Sequence, residues 1–246
     1  KKGEFHVELN TAGFSSVMNS MVAISISLLD GIDIVTIQRA LRIFRGVERR
    51  FEIIFEKDFK IIDDHFANEV NIDVTLETLC KMKYNDIKFL YAIRGNRGVE
   101  LNEENALKII EWNNKLKLSE IYATLSRDTV TWKDEVSDEE RDIFLKIMKE
   151  NNIKVLGDDH TIILNNSIMG NLKSRVRDND CEYYENNSTS IQYLNNYLIA
   201  QKDDVVMFAG CQGMDKAGRI GLNYILEKNN SYDREEILFP LKDRIV

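Results

Sequence analysis

Apolar residues recur at helical spacing from Ser15 to Leu29, where Val17, Met18, Met21, Val22, Ile24 and Leu28 share one side. Ser15 or Ser16 stands where an N-cap belongs, and Gly31 where a helix stops. A second helix is predicted from 34 to 44, with Ile37, Leu41 and Phe44 on one face and Gly46 ending it. Ahead of both, Phe5 to Leu9 alternate as a short strand does, and Asn10-Thr11-Ala12-Gly13 breaks the run.

After Gly46 the period changes, and a domain boundary is expected there. Phe51 to Phe55 and Phe59 to Ile62 read as two strands joined by the turn Glu56-Lys57-Asp58. Helices predicted at 70–82, 103–115 and 138–151 then alternate with apolar strands at 87–93, 120–125 and 153–156. A helix near 190–201, a strand at 205–209 and a last helix at 214–226 complete the order, and the polar stretch 158–187 reads as an insertion. Apolar strands separated by amphipathic helices imply an α/β fold with a mostly parallel sheet flanked by helices.

Composition narrows the function classes. The 246 residues, 43% hydrophobic and 30% charged, suit one α/β domain plus a smaller piece. A formal charge of −8 argues against a broad nucleic-acid or anionic-membrane surface, so neither is expected as a partner. Three scattered cysteines, Cys80, Cys181 and Cys211, offer no disulfide framework and no zinc site, which fits a reducing, cytoplasmic setting. His6, His65 and His160 lack metal-ligand spacing. No run reaches the roughly 20 apolar residues of a membrane span. With Lys1 in place of an initiator Met, the chain is expected to begin inside something larger.

In open α/β sheets, ligands bind beyond the carboxyl ends of the strands. The residues following the predicted strands there are Asp63-Asp64-His65, Arg94-Gly95-Asn96-Arg97-Gly98, Ser126-Arg127-Asp128 and Gly210-Cys211-Gln212-Gly213-Met214-Asp215. Carboxylates, arginines and glycines thus gather at one rim. Gly lets backbone N–H groups approach a ligand, Arg pairs with carboxylate or phosphate, and Asp binds hydroxyls or ammonium. Each residue also has a plainer reading. Asp63 and Asp64 would cap the following helix, Arg97 would be a solvated loop residue, and Gly210 and Gly213 would only make a tight turn.

Taken in order, these stretches form a series. Phe44-Arg45-Gly46-Val47-Glu48-Arg49-Arg50-Phe51-Glu52 resembles the F-x-G-V-x-x-R-x-E opening of the third domain of the Mur (muramyl) ligases. Gly13-Phe14-Ser15-Ser16-Val17-Met18-Asn19 resembles that family's G-x-H-N-V-x-N segment, and Asp63 to Asn68 its D-D-Y-A-H-N-P. Arg94 to Gly98 is similar to its G-G-D-R-D, and Gly210 to Asp215 to its G-K-G-H-E.

The resemblance implies a Rossmann-like third domain over 47–246, preceded by residues 1–46 as the helical tail of a central ATPase domain. It also implies a ligase that phosphorylates a carboxylate with ATP and Mg and lets an amino-acid or peptide amine attack the acyl phosphate, as in making cell-wall precursors. Carried over by position, Asn19, Arg50 and Asp64 would bind nucleotide: the adenine, the ribose-phosphate region and the ribose hydroxyls. Arg94, Arg97, Arg127, Gly210 and Asp215 would line the site of the incoming amino acid. No catalytic residue and no metal ligand is assigned within this chain. The phosphate loop G-x-x-G-K-S/T is absent, so its work falls to the missing central domain as partner, and isolated turnover of ATP is not expected. Ser15-Ser16 and Ala67 depart from the family pattern. They keep open the alternative of a Mur-like module that binds a ligand or partner and catalyses nothing. Polyglutamate-type substrates also stay open.

Overall fold

The computed structural model of the chain describes residues 3–126, 136–156 and 200–210. The amino-terminal part holds helices α1 (Phe14–Leu29) and α2 (Ile34–Ile43). The rest is a sheet of β1 (Glu52–Glu56), β2 (Lys60–Asp64), β3 (Ile87–Ile93), β4 (Glu120–Leu125), β5 (Lys154–Leu156) and β6 (Val205–Gly210). Helices α3 (Glu69–Cys80), α4 (Val99–Leu116) and α5 (Asp138–Glu150) connect or cover these strands. The strands lie in the order β1-β2-β6-β3-β4-β5, with only β1 antiparallel to its neighbour.

The sheet centre explains its own sequence. Every residue of β6 is buried, and β3 is buried except at Lys88, as expected of parallel strands covered on both faces. Tyr91 stacks on Phe144 of α5 at 4.9 Å, and Phe66 meets Phe89 and Tyr91 edge-on at 5.9 and 6.3 Å. Close-packed aromatic pairs of this kind add to their area burial. At the β3–β6 seam Gly210 has φ +151, and a Cβ built there would sit 2.5 Å from the Cβ of Ala92. The backbones can meet at that point only with glycine.

Several expectations need correcting. Residues 5–9 form no strand. They lie along α2 instead, where Gln38 donates to the carbonyl of His6 and Arg42 pairs with Glu8. The N-cap of α1 is Gly13, not Ser15 or Ser16. Its positive φ of 87° turns the chain, its carbonyl accepts from the Ser16 N–H, and Ser16 Oγ donates to the carbonyl of Ala12. No residue of α1 is buried, so its apolar side is open: Met18 is 46%, Met21 56% and Val22 58% exposed. Helix α2 ends at Ile43 because Phe44 turns extended, and Phe44 is exposed. Helix α4 starts at Val99, four residues before the predicted 103, directly after Gly98 with its φ of 88°. The predicted helix near 190–201 lies outside the described residues except for Ala200 and Gln201, which are not helical, and the helix at 214–226 and the stretch 158–187 lie wholly outside them.

Candidate functional site

Strands β2, β6 and β3 run side by side in parallel, so Asp64, Gly210 and Ile93 end at the same edge. Four of the seven described non-glycine residues with positive φ crowd that edge: Arg49 (56°), Phe51 (48°), Phe66 (45°) and Asn96 (56°). Side chains with a Cβ adopt this region only when their surroundings over-determine it.

The first determinant is Asp64. One carboxylate oxygen accepts from the N–H of Phe51 at 2.7 Å and the other from the N–H of Phe66 at 2.9 Å, so a single side chain ties both left-handed phenylalanines. Burial pushes the Asp64 carboxyl up, while bonds from Phe66, Phe51 and Thr75 and the charge of Arg50 pull it back. Neither Asp63 nor Asp64 caps α3. That work belongs to Asn68, whose side chain accepts from the N–H of Asn71. Arg49 is buried, lies 3.5 Å from Asp63 and donates to the carbonyl of Gly210 at 2.7 Å, latching the 47–51 turn to the end of β6.

The loop after β3 is held from three sides. The Arg94 N–H bonds Asn102 Oδ1, whose amide nitrogen in turn donates to the carbonyls of Arg94 and Gly98. Gly95 N–H bonds Ser126 Oγ at 2.8 Å. Glu140 Oε1 accepts from Arg97 at 2.9 Å and Gly98 at 2.7 Å, while Glu140 Oε2 accepts from the Ser137 N–H that closes the capping box of α5. Burial raises the Glu140 carboxyl. The N–H groups of Ser137, Arg97, Gly98 and Asn96 outweigh it and hold the group below the ordinary carboxylate value.

Between these loops stands the half-buried imidazole of His65. Burial first, then the charges of Arg49, Arg94, Arg50 and Arg97, push it down to about 4, so it is neutral at physiological pH. Four guanidiniums from two loops therefore lie near enough for their charges to act on one imidazole. Arg49 and Arg94 are buried, and Arg94 reaches the carbonyl of Phe66 at 3.4 Å, whereas Arg50 and Arg97 are exposed. Two exposed, permanently charged forks beside a neutral imidazole suit a carboxylate or phosphate.

The structure thus brings Arg50, Asp64, Arg94 and Arg97 to one edge, with different duties. Asp64 and Arg94 are buried in backbone bonds, and Gly210 is buried with its carbonyl taken by Arg49. Asn19 is exposed on α1, and no hydrogen bond joins it to this edge among the described residues. Arg127 and Asp215 lie outside the described residues. Glycine-rich composition after β3 suggested free backbone donors; the structure shows those donors engaged by Asn102, Ser126 and Glu140. Sequence reasoning had no place for Asn102, Arg49 or Glu140 in the site. Only Glu140 left a signal, the Ser137-x-x-Glu140 spacing of a capping box. Among the described residues no group of three His, Cys, Asp or Glu side chains is placed to hold a metal ion. Asp63 and Asp64 face arginine and backbone N–H groups, so the donors here fit an anion and not a cation.

No protein-family model matches the chain. A UDP-N-acetylmuramate–L-alanine ligase of Caldicellulosiruptor saccharolyticus is 25% identical over 225 residues, which are 91% of this chain and 41% of that protein. The ligase of the same name from Dictyoglomus turgidum is 32% identical over 119 residues, 48% of this chain and 25% of its own length. In fold, the chain resembles the UDP-N-acetylmuramate–alanine ligase of Thermotoga maritima, with a TM-score of 0.57 at 16% identity, covering 94% of this chain and 41% of that one. It also resembles a pseudomurein peptide ligase type C from Methanothermus fervidus, with a TM-score of 0.54 at 19% identity, covering 92% and 39%. The chain spans about two-fifths of the length of the relatives it matches over most of its own length. Sequence likeness over nine-tenths of the chain and a shared fold agree: what this chain is similar to, in sequence and in architecture, is the Mur ligases.

Proposed function

We propose that this chain is the carboxyl-terminal part of a cytoplasmic, ATP-dependent ligase that joins an amino-acid or peptide amine to a substrate carboxylate through an acyl phosphate. The observation that carries this reading is that the loops holding Arg49, Arg50, Arg94 and Arg97 meet at the carboxyl edge of the sheet, with Arg50 and Arg97 exposed there. The amino-acid- and peptide-adding names of the relatives support a cell-wall precursor as substrate. In this reading residues 47–246 form the third domain and residues 1–46 the tail of the central ATPase domain. The open apolar side of α1 supports that division, because a helix face of this kind needs a cover.

ATP with Mg supplies the phosphoryl group and most of the charge neutralisation, held mainly outside this chain. The chain's own residues bind and orient. Arg50 pairs with a nucleotide phosphate and Arg97 with the carboxylate of the incoming amino acid, as bidentate forks do. Asp64 binds no ligand itself in this reading: it holds the Phe51 turn that follows Arg50 and the Phe66 turn whose carbonyl meets Arg94. A bound anion shields His65 from the arginines and raises its affinity for a proton.

The test is an ADP-release assay on the protein as its gene encodes it, with UDP-N-acetylmuramate supplied as the carboxylate that is phosphorylated, screened over amino acids. Arg97→Ala is expected to raise the KM for the amino acid roughly 10–100-fold with a smaller effect on the KM for ATP. Equal effects on both substrates would overturn the assignment of Arg97. No turnover with any amino acid would favour the non-catalytic binding module.

A further inference from the structure

The loop between β3 and α4 has an unusual economy of donors. Its N–H groups are taken by side chains of the protein: Arg94 by Asn102, Gly95 by Ser126, and Arg97 and Gly98 by Glu140, whose carboxyl the Asn96 N–H also helps to hold down. Successive N–H groups converging beside a left-handed residue make a concavity that binds anions. Here Asn96 supplies the left-handed residue at φ 56°, and Gly98 follows at φ 88° before α4 begins. The anion that fills the concavity is internal. Glu140 is 5% exposed and is anchored from behind by its second oxygen to the Ser137 N–H.

We infer that Glu140 is a positioning residue for Arg97: its carboxylate fills the backbone anion nest of residues 96–98, so that the incoming carboxylate is met by the Arg97 guanidinium instead of by the main chain. This rests on the ligase reading above. The chemical logic is exclusion and aim. An unfilled nest would compete with Arg97 for the same carboxylate and draw it toward the backbone, away from the acyl phosphate. A filled one leaves a single cationic fork exposed on a loop whose backbone is tied on both sides. Because Glu140 sits in the first turn of α5, the rigid helix rather than the loop sets where Arg97 starts. Glu140 touches no substrate in this account and acts only through the loop.

The experiment compares Glu140→Ala, Glu140→Gln and Ser137→Ala in the protein as its gene encodes it. Glu140→Ala is expected to raise the KM for the amino acid about 10-fold or more, with kcat and the KM for ATP within about twofold of wild type. Gln keeps one acceptor oxygen for the Arg97 and Gly98 amides and turns its N–H₂ toward the Ser137 N–H, so Glu140→Gln should fall between. Ser137→Ala removes the helix cap without emptying the nest, and should lower the melting temperature while leaving the KM for the amino acid unchanged. An unchanged KM in folded Glu140→Ala, or equal rises for amino acid and ATP, overturns the inference. If Glu140→Ala does not fold, Glu140→Gln decides by the same readout.

Hydrogen exchange separates this failure from failure of the ligase reading, since it needs no turnover. The Arg97 and Gly98 amides should exchange at least ~10-fold faster in Glu140→Ala than in wild type. Equal exchange rates overturn the nest whatever the enzyme assay shows. Accelerated exchange in a protein that ligates nothing keeps the nest and removes the ligase.

Discussion

Helices α1 and α5 make an instructive pair. Both carry an apolar side at helical spacing, and α1 is the more apolar of the two. Yet α5 buries Phe144, Ile147 and Met148 against the sheet, while α1 buries nothing. The difference lies in what stands opposite. The side of α5 meets Tyr91 of β3, a strand buried on both faces. At the start of α1, Gly13 lies so close to Thr78 of α3 that an added Cβ would be 2.7 Å from its Oγ1, yet the rest of the helix buries no residue. An apolar period therefore announces that a face is to be covered. It does not say by what, or within which part of a protein.

That contrast can be broken or sharpened in steps of decreasing size. Phe144→Ala removes a fully buried ring stacked on Tyr91 and should cost about 3–5 kcal/mol in urea unfolding. A loss under 1 kcal/mol would mean that the α5 interface is not packed as described. Asp64→Asn replaces an acceptor oxygen with a donor facing the N–H of Phe51 or Phe66. It should cost about 2 kcal/mol and loosen both left-handed turns, visible as faster amide exchange at those two residues.

His65 gives a smaller, pH-dependent effect. Its folded value is about 4 against an ordinary 6.5, so below pH 6.5 the unfolded chain takes up a proton that the folded chain refuses. Stability is then lost as the pH falls from 6.5 toward 4. For a half-buried imidazole the loss is on the order of 1 kcal/mol once solvent screening is allowed for. His65→Asn should flatten that part of the pH profile, and an unchanged profile would show that the arginines do not crowd this ring. At the small end, Met21→Ala on α1 should change the stability of the chain by less than about 0.5 kcal/mol, because the side chain is already 56% exposed. A large loss there would show α1 covered in solution.

Much was legible in the order of residues because it depends on local chemistry. The alternation of apolar strands with amphipathic helices located β3, β4 and β6 to within a residue, since parallel strands buried on both faces need uninterrupted apolar runs. The stretch around Gly46 to Glu52 and the rim loops after β2 and β3 carried the resemblance to the Mur ligases, and they put Arg50, Asp64 and Arg97 at one edge of the sheet. Position after a strand determines which edge of a parallel sheet a loop occupies. The failures were local conflicts with nonlocal outcomes. Residues 5–9 alternate like a strand but have α2 beside them and no sheet edge.

What only the tertiary structure decided is the division of labour inside the rim. Asp64, Arg94 and Gly210 have the residue types of ligand contacts, yet they are buried in bonds to the backbone of other loops. Arg50 and Arg97, identical in type to Arg49 and Arg94, keep their charges in the open. Nor does any spacing rule connect Glu140 to Gly98, 42 residues earlier. The physical reason is that a hydrogen bond or a charge–charge contact depends on distance in space. A single chain reveals such distances only where periodicity keeps sequence neighbours and spatial neighbours the same.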